Sequence, residues 1–111
     1  MTEIPFTVEP DTTPGDAGLE YERPRAGRVR LTVRVGERRT GGHAIAVTNV
    51  RRDGARLIVR CDVRVPAPGA IVTQVLSAPA QTVSIDERAA RGVREAMLVD
   101  TAGKERARIS A

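Results

Sequence analysis

A chain of 111 residues, 41% hydrophobic and 29% charged, has the composition of a folded globular domain with a single core. One cysteine and one histidine exclude an internal disulfide, a thiolate zinc site and any metal cage not built mostly from carboxylates. The net charge of +4 is unevenly placed: residues 1–22 carry six acids and no base, and residues 23–64 carry twelve arginines against Glu37, Asp53 and Asp62.

No apolar run reaches the roughly 20 residues of a membrane span. The opening "MTEIPFTVEP" lacks the basic-then-apolar order of a signal peptide, so none is expected in the chain as given. Phe6 and Tyr21 are the only aromatic residues, so the core has to be aliphatic. Residues 1–24 read as an N-terminal strand and an acidic arm rich in proline and glycine. Within them "EPDTTPGDAG" (9–18) is a loop, because prolines, glycines and short polar residues hold no regular element. Residues 25–111 read as a β domain.

In "GRVRLTVRV", Val29, Leu31, Val33 and Val35 share one face and Arg28, Arg30, Thr32 and Arg34 the other, the pattern of a half-buried strand. A second strand is expected over "HAIAVTNV" (43–50). Asp53-Gly54 then supplies a tight hairpin turn. The return strand, 56–65, places Leu57, Val59, Cys61, Val63 and Val65 on its apolar face, and "PAPG" (66–69) ends it. Further strands are expected over 70–77 and 81–85. One helical turn over 86–92 has Asp86 as cap and Gly92 as stop. A last hairpin joins "VREAMLV" to "ERARIS" across residues 100–103. Short strands at this spacing predict an all-β fold: a small antiparallel sandwich or a partly open barrel.

The stretch "GERRTGGHAI" (36–45) repeats the glycine spacing of a phosphate loop. Gly42-His43 stand where that loop needs lysine and Ser/Thr, and a strand follows instead of a helix, so a nucleotide site is excluded. Cys61 lies on apolar parity between Val59 and Val63, which makes it a buried small hydrophobe. His43 reads as an exposed loop or strand-edge residue. No serine sits in a nucleophile elbow. No enzyme, cofactor or metal site is expected.

Two segments at fixed mutual spacing carry a resemblance. Gly36, Glu37, Thr40, Gly41 and Gly42, and then Pro66, Pro68, Gly69, Val72, Thr73, Gln74, Leu76 and Pro79, closely resemble the C-terminal domain of the PrcB family, named for a subunit of a bacterial surface protease complex. The likeness covers residues 29–85. His43 stands where that family has a tyrosine, and Ala78 and Ala80 stand where aromatic residues flank the late proline. The resemblance implies a protein-interaction module, an accessory or stabilising subunit of a protease complex, in the cell envelope or secreted. Its partner-binding residues would be Arg38, Arg39, Thr40, Gly41, Gly42, His43, Pro68, Gly69, Thr73 and Gln74. For Thr73 and Gln74, satisfying buried backbone is an equal alternative.

Two other functions compete with this one. A Thr-Gly loop on a β scaffold is loosely similar to chagasin-type protease inhibitors, whose other loops and tryptophan are missing here. An arginine face of Arg28, Arg30, Arg34, Arg56, Arg60 and Arg64 suits phosphate contacts. The lack of aromatic residues after Tyr21 argues against single-stranded nucleic acid, and the acidic first 22 residues could neutralise that face.

Overall fold

The computed structural model describes every residue except Val72, Thr73 and Val75. The described residues form β1 (Thr2–Glu3), β2 (Thr7–Val8), β3 (Gly18–Tyr21), β4 (Arg28–Arg34), β5 (Ala44–Asp53), β6 (Arg56–Arg64), β7 (Ala80–Asp86), β8 (Glu95–Val99) and β9 (Glu105–Ser110). A single 3-10 turn, Glu87–Ala90, separates β7 from β8, and the Asp86 carboxylate caps it by accepting the Arg88 N–H.

The strands make two sheets, in the orders β1-β5-β6-β8-β9 and β2-β7-β4-β3. Their apolar parities face each other. Val29, Leu31, Val33, Val83 and Ile85 meet Val50, Leu57, Val59, Cys61, Ala96 and Leu98, each at most 2% exposed. Aliphatic burial on this scale, about 1.5–3 kcal/mol per large side chain, drives the stacking. Among the described residues the architecture is all-β, two sheets with no closed barrel.

The pairing departs from an all-antiparallel arrangement at one place. β6 pairs with β8 in parallel, Leu57 opposite Ala96 and Val59 opposite Leu98. Between them the chain crosses to the other sheet as β7 and returns through the 3-10 turn, so it re-enters the first sheet in its original direction. Parallel neighbours require such a crossover.

The β5–β6 hairpin closes one residue later than Asp53-Gly54 suggests. Asp53 pairs with Arg56, and Gly54-Ala55 form the two-residue loop, with Gly54 at φ +60°. Glycine first and an ordinary residue second is the II′ pattern. β5 also carries a bulge between Val47 and Asn49. The extra residue lets Val47 and Val50, three apart, both point into the core.

Residues 2–21 are woven into both sheets: β1 pairs with β5, β2 with β7 and β3 with β4. The intervening residues lie over the outer face of β4 and β7. The Arg34 Nε donates to the Thr13 carbonyl at 2.9 Å and the Arg30 Nη2 to that of Asp11 at 3.3 Å. The Thr12 hydroxyl oxygen accepts the Thr82 N–H at 3.1 Å. Thr32 and Thr82 are buried as a result, their hydroxyls 2.8 Å apart, although alternation puts Thr32 on the outward face.

Of the strand expected over 70–77, residues 72, 73 and 75 lie outside the described ones. Ala70, Ile71, Gln74 and Leu76 belong to no strand, and Ser77 makes an isolated bridge to Arg38. Two prolines, Pro68 and Pro79, and a glycine, Gly69, bound that segment and oppose a continuous ladder.

Candidate functional site

At one end of the sandwich β4, β6 and β8 terminate while β3, β5 and β9 begin. The two linkers that carry the Thr-Gly-Gly and Pro-x-Pro-Gly segments both run across this end. After β4 the chain turns at Gly36, whose φ is +92°. Arg38 then exchanges two backbone hydrogen bonds with Ser77, its N–H donating at 2.7 Å and its carbonyl accepting at 2.8 Å. The Ser77 hydroxyl donates to the Thr40 carbonyl at 2.9 Å. On the other side Gly42, at φ +85°, lies against Pro66: a Cβ added there would stand 3.0 Å from the proline Cγ. Glycine is required at this position twice over, for its φ and for the close approach.

The Pro-x-Pro-Gly segment is a turn. The Ala70 N–H donates to the Ala67 carbonyl at 3.0 Å across Pro68 and Gly69, and Gly69 has φ +79°. Proline followed by a positive-φ glycine is the type II signature. The linker after β6 thus departs beside Gly42 and returns beside Thr40.

His43 is half-buried, its Nε2 3.2 Å from the Thr40 hydroxyl. Its Nδ1 is buried and has no hydrogen-bond partner among the described residues. Arg38, Arg39, Gly42, Pro68, Gly69 and Gln74 are exposed, and Thr40 and Gly41 half-buried. Thr73 lies outside the described residues. Gln74 makes no side-chain hydrogen bond to another described residue, and the hydroxyl that braces the two linkers is that of Ser77. Val65, Ile71 and Leu76, at 67%, 104% and 70% exposure, add three large apolar side chains to the same linker.

Two residues that matter here were missed in the sequence. Ser77 is a lone hydroxyl between Leu76 and Pro79, with nothing local to single it out. Gln81 carried a readable signal, since it shares the core parity of Val83 and Ile85, where a polar side chain needs a partner. Its Oε1 accepts the Val47 N–H at 2.8 Å, linking β7 to β5 across the gap between the sheets.

The six-arginine face is not assembled. Arg28, Arg30 and Arg34 project from the outer face of one sheet, where Arg28 bonds Ser84 and Thr7 and the other two hold the acidic arm. Arg56, Arg60 and Arg64 project from the outer face of the other sheet. There they engage Glu95, the Thr101 carbonyl and Asp62. The core separates the two sets.

Cys61 is fully buried on β6, and burial pushes its thiol pKa up, which suppresses the thiolate. Among the described residues no helix is long and apolar enough to cross a membrane.

No curated protein and no solved structure matches the chain. The PrcB C-terminal family matches residues 31–86, which is half of the chain and includes both linkers at this end of the sandwich. With that match spanning the Gly36–Gly42 and Pro66–Pro79 segments and the strands between them, the chain belongs to the PrcB C-terminal family.

Proposed function

We propose that the chain is a non-enzymatic protein-interaction module, an accessory or stabilising subunit of a bacterial protease complex. Its contact surface is the end of the sandwich bearing Thr40–His43, Pro66–Gly69 and the exposed side chains of Val65, Ile71 and Leu76. One observation carries this reading: the two segments that mark the family lie side by side, braced to each other, and the linker between β6 and β7 presents large apolar side chains to solvent. Exposed apolar side chains grouped on one segment are characteristic of surfaces that are covered by a partner.

The bracing also favours docking over inhibition. An inhibitory loop has to project into a cleft, whereas Thr40 is tied to Ser77 and Gly42 is packed on Pro66. Mixing the purified chain with a protease that it captures from lysate of its own cells tests both, and capture of no protease would refute the docking role. The proposed role predicts a longer half-life of the protease at unchanged initial hydrolysis. Blocked hydrolysis would establish the inhibitor instead, and no effect on either quantity would refute the docking role.

A further inference from the structure

The strand ends that support the proposed contact surface also enclose a cleft of about 250 Å³ between the sheets. Its lining is mixed, and the apolar part is supplied by Val35, Ile45, Val63, Val65 and Leu98, from strands of both sheets and the residues just beyond them. Among the described residues its charged lining is all of one sign, consisting of Arg34, Arg38 and Arg106 with no acidic side chain.

The three guanidiniums differ in what they have left to offer. Arg34 is spent on Glu20, at 2.8 Å, and on the Thr13 carbonyl. Arg106 is paired with Asp100 at 3.2 Å. Arg38 has no carboxylate partner among the described residues, and its guanidinium reaches only the carbonyl of its neighbour Glu37, at 3.3 Å. Its backbone, in contrast, is fixed by the two hydrogen bonds to Ser77. An arginine with a fixed backbone and an open fork, at the edge of a cleft with an apolar side, suits a carboxylate attached to an apolar body.

We infer that the cleft binds a carboxylate that terminates a short apolar chain, the carboxylate on Arg38 and the apolar part between Val35, Ile45, Val63 and Leu98. At roughly 30 Å³ per water-sized atom the volume holds about eight non-hydrogen atoms, which fits one medium-length acyl chain or one large apolar side chain. The same chemistry has two sources, a free fatty acid and the C-terminal residue of a polypeptide. This inference does not rest on the protease-complex reading, although Val65 borders both the cleft and the proposed contact surface.

Titration of the 15N-labelled full chain with octanoate, octylamine and the tripeptide acetyl-Ala-Ala-Leu, as free acid and as amide, tests it. Octanoate and the free-acid peptide should shift the amide resonances of Val35, Arg38, Ile45 and Val63. Octylamine and the amide peptide should not. Arg38→Gln should weaken the anionic probes about ten-fold, and Arg91→Gln, an exposed arginine just after the 3-10 turn at the opposite end of the sandwich, should leave them unchanged. Tighter binding of the peptide than of octanoate identifies a C-terminus as the source, and the reverse order identifies a fatty acid. Equal responses to octanoate and octylamine, shifts confined to other parts of the chain, or an Arg38→Gln protein with unaltered binding would each overturn the inference.

Discussion

The Ser77 hydroxyl donates to the Thr40 carbonyl at 2.9 Å, joining the two family-defining linkers across 37 residues of sequence. Ser77→Ala should therefore lower stability by about 0.5–1.5 kcal/mol, the net value of one such hydrogen bond. Hydrogen exchange should accelerate at residues 38–43, while the core of β4 and β7 stays protected. Unchanged exchange at 38–43 would mean that the two backbone bonds between Arg38 and Ser77 suffice alone.

Gly42 combines a φ of +85° with a 3.0 Å approach of any added Cβ to Pro66. Gly42→Ala should cost about 1–3 kcal/mol, the usual range for an L-residue held in left-handed backbone. A urea denaturation midpoint that falls with no change in slope would report this as a pure stability loss. A midpoint equal to that of the native chain would show that the linker relaxes away from Pro66 without penalty.

Legibility in the sequence followed side-chain period. β4 and β6 were readable because valine and leucine alternate with arginine, and the 3-10 turn because Asp86 and Gly92 bracket it. The bulge in β5 was hidden, since the three-residue step from Val47 to Val50 breaks the strand period and is explained only once pairing is seen. The parallel β6–β8 contact was hidden for a different reason: local pattern says nothing about which sheet a strand joins. At the site, the glycines announced a strained turn correctly, but the brace turned out to be Ser77. A single hydroxyl gives no pattern to read. The arginines misled most, because residues of the same alternating parity on β4 and β6 point out of opposite sides of a sandwich.

Arg34 holds the acidic arm through the Thr13 carbonyl and Glu20, with its side chain only 14% exposed. Arg34→Ala should free residues 9–16 from the sheet. Limited proteolysis should then cut within that stretch at least several-fold faster, with a loss of about 1–3 kcal/mol for hydrogen bonds made by a charged donor. Resistance equal to the native chain would assign the holding role to Thr12 and its bond from Thr82 instead.

Asp100 sits in the β8–β9 hairpin, where its carboxylate accepts the backbone N–H groups of Lys104 and Ala102 and the Nε of Arg106. The Lys104 N–H contributes most to holding its pKa below the ordinary 3.8, with the Arg106 and Ala102 donors adding to it. A carboxylate depressed in the folded state stabilises above its ordinary value, and that contribution disappears as pH falls through the folded value. Stability of the native chain should thus decline below about pH 4, and Asp100→Asn should flatten that decline. Parallel acid-unfolding curves for the two proteins would place the acid sensitivity elsewhere.

On the proposed reading, a partner covers the end of the sandwich that carries His43 and Leu76. A photo-crosslinking amino acid placed at His43 in one sample and at Arg88, on the 3-10 turn at the opposite end, in another tests this most directly. With a protease captured by the chain present, a crosslinked product is expected from position 43, lost on adding excess uncrosslinkable chain, and none from position 88. Crosslinking from position 88 alone, or equally from both, would contradict it.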